Sequence, residues 1–510
     1  MKQNSNISLN KTVFYPTFGF LSLVILYSLI DNEGFLNAAN AANDWILDIF
    51  GWLFTWSSFF FLLILLAVYF SPIAKMKIGG KQAKPLLSKW KWFTIALCTT
   101  VATGILFWGP AEPLYHLHTP PSSSNIAANS PSATDFAMST LFMHWSFTPY
   151  GIYTITGLVF ALAYYNFKQP FSIGSLFFPL SKSKKYTKAS SILDIICLSG
   201  LVSGMAASLG TGIFALSGGL ETTLNMEKSN LLLGIIGFAI VVTFILSAIS
   251  GLKKGISFLS FWNTIGFFLL AAFIFLIGPT LGILKIGGEG MLDYGQHFIS
   301  RSTNVGGNID KGWLNNWTVF YFANWFAWAP VSALFLGRLS VGYTVRDFIN
   351  FNLLYPSLFS CGWMVIFGGA ALFFDQLNGG ALYQTLITDG EENVLYQLFS
   401  YFPISKEISL FALLLIFISY VTIADSNVSA MSAISTTGIQ PEHPEAPLWI
   451  KITWGSMIGI IAWIMITGAG IDGIRMLCVL GGFPALFIII FVGLGLVKLL
   501  FSSKKSLELN

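Results

Sequence analysis

The chain has 510 residues, of which 55% are hydrophobic and only 10% are charged, and its mean hydropathy is +0.71. Because soluble domains carry about 25% charged residues, this composition excludes an ordinary soluble protein and indicates an integral membrane protein. The four cysteines are far apart and lie in or beside apolar runs, so they suggest neither a disulfide framework nor a CxxC metal site. They are Cys98, Cys197, Cys361 and Cys478.

Twelve apolar runs are long enough to predict transmembrane helices, because each crossing of a hydrocarbon core of roughly 30 Å needs ~20 apolar residues. The sequence therefore predicts an all-α integral membrane protein. The predicted spans, numbered 1 to 12 in chain order, are 13–30, 46–70, 90–109, 138–165, 192–220, 231–250, 257–282, 316–337, 353–374, 408–436, 448–467 and 476–500.

The distribution of lysine and arginine between the predicted loops sets the orientation. Of the 27 Lys and Arg residues, 21 fall in the two tails and in the loops after the even-numbered spans, and six fall on the other side. Since positively charged loops stay in the cytoplasm, both termini are predicted to be cytoplasmic, in the inner (cytoplasmic) membrane of the cell. This bias accounts for most of the formal net charge of +4, so no nucleic-acid partner is expected.

Spans 3, 5 and 10 have sequences typical of interrupted transmembrane helices. They contain TTVATGILFWGPAEPLYHL, GLVSGMAASLGTGIFALSGGL and ISYVTIADSNVSAMSAIST. Glycine destabilises a helix by roughly 0.5–1 kcal/mol relative to alanine, and unwound backbone in a membrane lines a cavity or binds an ion. We therefore expect all three spans to be discontinuous. For any one glycine, close helix packing is an equal alternative.

Asp425 is a carboxylate deep in the apolar span 10. Ionisable groups inside a membrane are expensive to bury and usually functional. Asp425 is therefore a candidate for ion or proton coupling, with simple acceptance of hydrogen bonds from its neighbours as the alternative.

Span 8 begins with NWTVFYFANWFAWAP at 316–330, which contains seven aromatic side chains. On a helix, Tyr321, Asn324, Trp325 and Trp328 share one face, because they lie at i, i+3, i+4 and i+7. Ring faces attract a cation that has no hydrogen-bond donors, such as a quaternary ammonium group, by ~0.5–2 kcal/mol per contact. The alternative is an interfacial aromatic belt, which suits Trp317. The shared face favours a pocket for the others.

The stretch WTVFYFANWFAWAPVSALFLGRLSVGYTVRDF at 317–348 resembles the span-8 signature of the betaine/choline/carnitine transporter family. The resemblance runs over nearly all twelve spans. Four further stretches match in family order: FWGPAEPLYHL at 107–117, HWSFTPYGIYTITGL at 144–158, AASLGTGIFALSGGL at 206–220 and VTIADS at 421–426.

This resemblance implies a LeuT-like fold in which spans 3–7 and spans 8–12 form 5+5 inverted repeats, preceded by two peripheral helices, and it implies a homotrimer surrounded by membrane lipid. The chain then divides into an N-tail (1–12), two peripheral spans with a cytoplasmic loop (13–88), a first repeat (89–282), an external connecting segment (283–315), a second repeat (316–500) and a short C-tail (501–510).

The resemblance also implies which residues bind the substrate. Trp325 and Trp328 correspond to the family's central aromatic box, with Trp145, Tyr150 and Tyr153 of span 4 lining the same route. At two further positions the chain departs from the pattern of the family that it resembles.

Asn324 stands where betaine carriers usually have another tryptophan. Because an amide donates and accepts hydrogen bonds, the pocket suits a substrate with a polar group beside its cation or a less methylated amine. Gly104 ends the family's span-3 glycine motif, whose earlier glycines are Thr100 and Ala102 here. Choline carriers tend to have aspartate at position 104, so Gly104 argues against choline.

Coupling is less clearly implied by the resemblance. Sodium-dependent members pair two adjacent hydroxyl residues in span 10, but Thr422 is followed here by Ile423, which has no oxygen. Thr211 and Ser208 in span 5 can contribute to a sodium site, whereas the neighbouring Ala207 cannot. Sodium symport is thus only slightly favoured over proton coupling through Asp425 or sodium-independent exchange, and no cofactor other than Na⁺ is expected.

The expected function is secondary active transport of glycine betaine, carnitine, choline or a similar small molecule by alternating access. A membrane-embedded enzyme would need a nucleophile–base or metal constellation, and the five histidines show no ligand spacing except the weak pair His116 and His118. A channel would better suit rings of polar residues. No enzymatic activity and no metal site are therefore expected.

Overall fold

The structure is a computed structural model that describes residues 7–100, 104–181, 188–250, 255–307, 309–439 and 445–501. These residues are almost entirely helical, which confirms the predicted all-α class. Most of the predicted C-tail, the first six residues of the N-tail, Ala102 and the loop residues Lys253 and Lys254 lie outside the described residues.

Within the described residues, ten helices are long and apolar enough to cross a membrane, or 11 if the bent pair of span 3 counts as one. The first two are Lys11–Ile30 and Asn32–Phe70. Only 28% and 39% of their most apolar stretches are buried, against 94% in the helices of spans 4 and 8. Spans 1 and 2 are thus peripheral, and spans 4 and 8 form the core.

Span 3 is bent. Its two described helices, Lys89–Thr100 and Gly104–His118, are inclined by 54° to each other, and the predicted interruption falls on residues 101–103, which lie outside the described residues. The second helix starts inside the protein, where Ile105 and Leu106 are fully buried.

Span 4 is also interrupted, which the sequence analysis did not predict. The helix Pro131–Trp145 ends at Ser146, whose backbone is not helical (φ −122°, ψ −121°), and the helix Phe147–Ala161 follows, with a π-helical turn at Leu162–Asn166. Pro149 explains the break, because its missing N–H leaves the carbonyl of the fourth residue before it, Trp145, without a helical donor.

The predicted interruptions of spans 5 and 10 are wrong. The helices Lys188–Leu224 and Ser405–Ile434 run through both segments without a break. The glycines serve helix packing instead: a Cβ at Gly200 would lie 2.7 Å from the carbonyl oxygen of Gly481, and one at Gly218 would lie 2.8 Å from that of Glu392. Neighbouring backbones at these two positions leave no room for a side chain.

Spans 6 and 7 are the helices Asn230–Ser250 and Gly255–Ile277. The connecting segment contains a helix, Thr280–Thr303, and a single helical turn, Lys311–Leu314. A π-helical turn, Asn315–Val319, then leads into the span-8 helix Phe320–Leu339. This wide turn was not predicted.

The second half of the chain continues with Val345–Ile349, a π-helical turn at Asn350–Leu354 and the span-9 helix Tyr355–Leu377. The short helices Ala381–Thr388 and Glu391–Phe399 precede span 10. Spans 11 and 12 fall in one run, Leu448–Leu500, which is non-helical at Gly470 (φ 58°, ψ −136°). Its 53 residues would extend about 80 Å as a straight helix, far more than one bilayer crossing.

Contacts between loops pair segments that the twelve-span alternation assigns to the same membrane face. The strands Ser8–Leu9 and Thr436–Thr437 form an antiparallel pair that joins the N-tail to the loop after span 10. Asn166, after span 4, accepts a hydrogen bond from the backbone of Gly79, after span 2, at 2.9 Å. All four segments belong to one predicted face.

Contacts at the opposite end follow the same alternation. Tyr115, at the end of span 3, donates a hydrogen bond to Glu391, between spans 9 and 10, at 2.6 Å. Lys228, after span 5, pairs with Glu392. All four contacts therefore join segments that the predicted alternation places on the same face.

Candidate functional site

Three aromatic rings of span 4 pack around Trp325 of span 8 in the core. The ring centroid of Trp325 lies 5.2 Å from Tyr153, 5.6 Å from Tyr150 and 6.0 Å from Trp145. The break at Ser146 makes this possible, because Trp145 ends one helix while Tyr150 and Tyr153 lie three residues apart on the next. The structure thus brings these four predicted site residues together.

Tyr321 lies one helical turn before Trp325 and extends the cluster. Its ring centroid is 5.3 Å from that of Trp145, and it stacks on the imidazole of His144 with centroids 4.7 Å apart. Tyr321 is 1% exposed and Trp325 is 4% exposed. Neither ring belongs to an interfacial belt, since both are enclosed by protein.

A cavity of about 50 Å³ lies beside these rings. Five spans contribute to its walls, namely spans 3, 4, 5, 8 and 10. A buried water needs roughly 10–15 Å³ of such space, so the cavity fits a few water molecules, and a larger solute requires side chains to move. Its lining residues are Thr99, Thr100, Gly104, Trp145, Tyr153, Ser208, Asn324, Trp325, Trp328 and Ile423.

Trp328 and Ile423 also line a second cavity, of about 20 Å³, together with Tyr420. They therefore lie between the two cavities. Gly204 of span 5 permits this position, because a Cβ there would lie 3.0 Å from Cδ1 of Trp328.

Asn324 lines the larger cavity and contacts span 12. Its Oδ1 accepts a hydrogen bond from Sγ of Cys478 at 3.3 Å. The sequence analysis found neither a disulfide nor a metal role for Cys478 and did not predict this contact. A cysteine in an apolar run carries no local signal for a partner that lies 154 positions away in the chain.

The residues predicted for ion coupling have three different kinds of hydrogen-bond partner. The hydroxyls of Thr422 and Thr211 donate to carbonyls of their own helices, at 2.8 Å to Ser419 and 3.2 Å to Ala207. The Ser208 hydroxyl lies 3.2 Å from that of Tyr420, which links spans 5 and 10.

Asp425 faces span 6 instead of span 5. Its Oδ2 accepts a hydrogen bond from Ser247 at 2.7 Å, and Oδ1 lies 3.5 Å from the hydroxyl of Ser429. Among the hydrogen bonds of the described residues, none joins Asp425 or Thr422 to Ser208. The four predicted coupling residues therefore do not share one hydrogen-bonded cluster, and their role in coupling stays a prediction.

Glu112 is a buried carboxylate that the sequence analysis did not single out. Its Oε1 lies 2.6 Å from Nδ1 of His144, and its Oε2 accepts a hydrogen bond from Nε1 of Trp145 at 2.7 Å. All of Glu112 is enclosed by protein. A signal was available, because Glu112 interrupts an apolar segment just as Asp425 does.

His116 and His118 do not form the weak metal pair that their spacing allows. His116 Nε2 lies 3.3 Å from Oε1 of Glu112, whereas His118 Nε2 lies 2.7 Å from Oδ2 of Asp375. The ligand atoms of Glu112, His116 and His144 do lie within 4.8 Å of one another, a spacing that a metal ion can bridge. Nδ1 of His116 is buried without a hydrogen-bond partner among the described residues, so the hydrogen bonds of this cluster are not all satisfied.

Comparison with known proteins identifies the family. Residues 12–505 match the BCCT family, described as betaine/carnitine/choline family transporter. An ectoine/hydroxyectoine transporter of Virgibacillus pantothenticus is 28% identical over 98% of both chains. A glycine betaine/proline/choline/ectoine transporter of Vibrio parahaemolyticus is 30% identical over 95% of this chain and 86% of its own.

A glycine betaine transporter of Bacillus subtilis, OpuD, is 28% identical over 98% of this chain and 96% of its own. Among solved structures, a manganese transporter from Eremococcus coleocola aligns with 12% identity and a TM-score of 0.41, over 82% of this chain and 79% of its own. We draw no conclusion from so low a similarity. The chain is a multi-pass membrane transporter of small molecules, not an enzyme, and it belongs to the betaine/carnitine/choline transporter family.

Proposed function

We propose that the protein moves a compact zwitterion of the glycine betaine type across the cytoplasmic membrane by alternating access. The observation that carries this proposal is the enclosed ring cluster around Trp325, beside a cavity in the core. Ring faces in a dry site attract a quaternary ammonium group by as much as 2 kcal/mol or more for each contact.

The charge of the cavity favours a zwitterion over a cation such as choline. None of the described residues that line it carries a formal charge. A lone cation would be buried there without a charged partner in the cavity wall, which is costly, whereas a zwitterion brings its own carboxylate. Nε1 of Trp325 is buried without a hydrogen-bond partner among the described residues, so it is available to donate to that carboxylate.

Asn324 favours a second candidate, a less methylated zwitterion such as ectoine, which carries N–H groups. The amide lines the cavity and can accept a hydrogen bond that a trimethylammonium group cannot donate. Two of the relatives are named as transporters that include ectoine among their substrates. Glycine betaine and ectoine are therefore the first substrates to test, before carnitine and choline.

The proposed architecture has twelve spans arranged as 5+5 inverted repeats, spans 3–7 and 8–12, after two peripheral helices. Support comes from the kink at Gly470, which divides Leu448–Leu500 near its middle, and from the bent pair that makes up span 3. Both termini are proposed to be cytoplasmic, on the Lys and Arg distribution. A homotrimer in membrane lipid is proposed from the family resemblance alone.

Sodium symport is the first candidate for coupling, with Thr422, Thr211 and Ser208 as oxygen donors. Proton coupling through Asp425 or sodium-independent exchange is the alternative. Ile423 supports these two alternatives. It follows Thr422, where sodium-dependent members of the family have a second hydroxyl residue, and it lines both cavities with an apolar side chain. Sodium prefers oxygen ligands, and Ile423 supplies none.

The test is uptake into proteoliposomes of radiolabelled glycine betaine, ectoine, carnitine and choline, each with and without an inward sodium gradient. We expect saturable uptake of glycine betaine or ectoine, and weak uptake of choline. Uptake of choline alone, or a chemically altered product inside the vesicles, would contradict the proposed function.

A further inference from the structure

We infer that Glu112 is a positioning residue of the transport site, which holds the indole of Trp145 in place against Trp325. The inference rests on the proposed function, because it assigns Glu112 a role in substrate affinity. Glu112 does not line the cavity. It acts through Trp145, which does.

The direct link is one hydrogen bond. Nε1 of Trp145 donates to Oε2 of Glu112 at 2.7 Å, between two side chains that are buried in the core. A hydrogen bond to an ionised acceptor is short and roughly twice as strong as one between neutral groups. It fixes the rotation of the indole about its side-chain bonds, and so fixes the face that Trp145 presents to Trp325, 6.0 Å away.

The carboxylate itself is held from the opposite side. Its Oε1 lies 2.6 Å from Nδ1 of His144, and Nε2 of the same imidazole lies 2.9 Å from the hydroxyl of Thr318. Thr318 belongs to the π-helical turn that leads into span 8. Glu112 on span 3 is thereby connected to both sides of the ring cluster, through span 4 directly and through span 8 by way of His144.

Packing confines the other end of the indole. Its six-membered edge lies against Gly104, where even a Cβ would come within 2.6 Å of Cη2, and the ring centroids of Tyr321 and Trp325 lie 5.3 Å and 6.0 Å away. The N–H end is held by the hydrogen bond to Glu112, so packing and this hydrogen bond together set the orientation of the ring.

A buried carboxylate is also an expensive way to fill space. Removing a charge from water is strongly unfavourable unless it is paired and hydrogen-bonded. Here both carboxylate oxygens have ring N–H partners from span 4. An apolar residue would fill the same space at lower cost. We therefore assign Glu112 the role of orienting its two hydrogen-bond partners, His144 and Trp145.

The test compares three variants with the wild type in uptake assays of glycine betaine or, if it is the better substrate, ectoine. Glu112→Leu removes both acceptors at similar volume, Trp145→Phe removes the N–H but keeps a ring, and the third variant combines them. We expect KM to rise about tenfold in each single variant, a factor typical of a hydrogen bond to a charged group, with kcat within about twofold. Because both changes break one link, the double variant should show about the same rise and not ~100-fold.

Two further variants distinguish the positioning of Trp145 by Glu112 from a general effect of losing a buried carboxylate on folding. Glu112→Gln keeps one acceptor oxygen for the indole and should restore most of the wild-type KM. Asp375→Leu is the matched control for Glu112→Leu, because Asp375 is also buried and lies 2.7 Å from a histidine, His118, but does not contact the ring cluster. Its KM should stay unchanged. An equal rise in the Asp375 variant would mean that loss of any buried carboxylate is enough, and would overturn the inference.

A measurement without substrate keeps the inference testable on its own. The ultraviolet resonance Raman difference between wild type and Trp145→Phe isolates the indole band that reports N–H hydrogen bonding. The difference between Glu112→Leu and the double variant isolates the same band without the acceptor, and this band should lie at the position of an indole N–H that makes no hydrogen bond. An unchanged band, or multiplicative effects on KM, would refute the link. Absence of uptake for all four solutes by the wild type would instead count against the proposed function, while the Raman result still decides the role of Glu112.

Discussion

Gly104 and Trp145 are in such close contact that a methyl group on Gly104 would lie 2.6 Å from Cη2 of the indole. The contact joins the first residue of the second span-3 helix to the last residue of the first span-4 helix, and it sets how near Trp145 can approach the cavity that both residues line. Any side chain at position 104 must displace the ring.

The first prediction concerns this contact. Gly104→Ala should push Trp145 toward Trp325 and narrow the cavity, so KM for glycine betaine should rise at least about tenfold, as expected when overpacking costs about 1–3 kcal/mol. Gly362→Ala is the control, because nothing lies within 4 Å of a Cβ there. Equal kinetics for the Gly104 variant and the control would show that the ring has room to move.

The second prediction concerns the ring cluster. Trp325→Leu should weaken binding of a quaternary-ammonium substrate by ~1–2 kcal/mol, because the apolar volume is roughly kept while the electron-rich ring face is lost. Trp328→Leu should have a similar effect. Equilibrium binding to purified protein in detergent is the measurement, and Trp52→Leu, which removes a 60% exposed ring, is the control. Unchanged affinity in both the Trp325 and the Trp328 variants would show that these two rings serve only packing.

The third prediction concerns selectivity. Asn324→Trp replaces the amide with the residue usual in betaine carriers, so glycine betaine should be kept or gain affinity while ectoine should lose it. The ratio of the two KM values should shift by about tenfold, the effect of one hydrogen bond lost by a polar ligand. Competition between the two solutes in one uptake assay measures the ratio directly. A parallel change for both solutes would assign Asn324 a purely steric role.

The fourth prediction concerns coupling. If sodium binds beside Thr422, Ile423→Ser should strengthen sodium dependence by adding an oxygen ligand, and Thr422→Ala should abolish it. If Asp425 carries a proton, uptake should respond to a pH gradient, and Asp425→Asn should remove that response because an amide does not titrate in this range. Uptake is measured under separately imposed sodium and proton gradients. Indifference to both gradients, with acceleration by internal substrate, would leave exchange.

The fifth prediction concerns orientation. In a cysteine-free background, single cysteines at the exposed positions Ser123 and Asn378 should react with an impermeant thiol reagent added to intact cells, and a cysteine at the exposed Gln82 should not. Reaction of Gln82→Cys only after the cells are opened is the internal control. Labelling of Gln82→Cys in sealed cells would reverse the proposed topology.

The sequence by itself determined the class of protein and its family, and it predicted four residues that the structure brings together in the ring cluster. Composition alone indicates a membrane protein, since a chain with 10% charged residues cannot cover a soluble surface. The face shared by Tyr321, Asn324, Trp325 and Trp328 follows from helical periodicity, a local property that a sequence records directly. The sequence of span 3 also indicated a departure from one straight helix, although the bend of 54° between its two described helices was not predicted.

Only the tertiary structure decided which glycines interrupt a helix and which ones pack. In span 5, Gly200 is needed because the backbone at Gly481 lies against it, and the helix continues. A glycine that interrupts a helix and a glycine that packs against a neighbouring backbone look alike in the local sequence. They differ only in which part of the folded chain lies against them.

Tertiary structure likewise decided the partners of the buried polar groups. Glu112 meets His144 and Trp145 from positions 32 and 33 residues later in the chain, and Asn324 meets Cys478 from 154 residues away. A hydrogen bond depends on distance and direction between two side chains, and no local pattern encodes these when the helices that carry them are brought together only by packing.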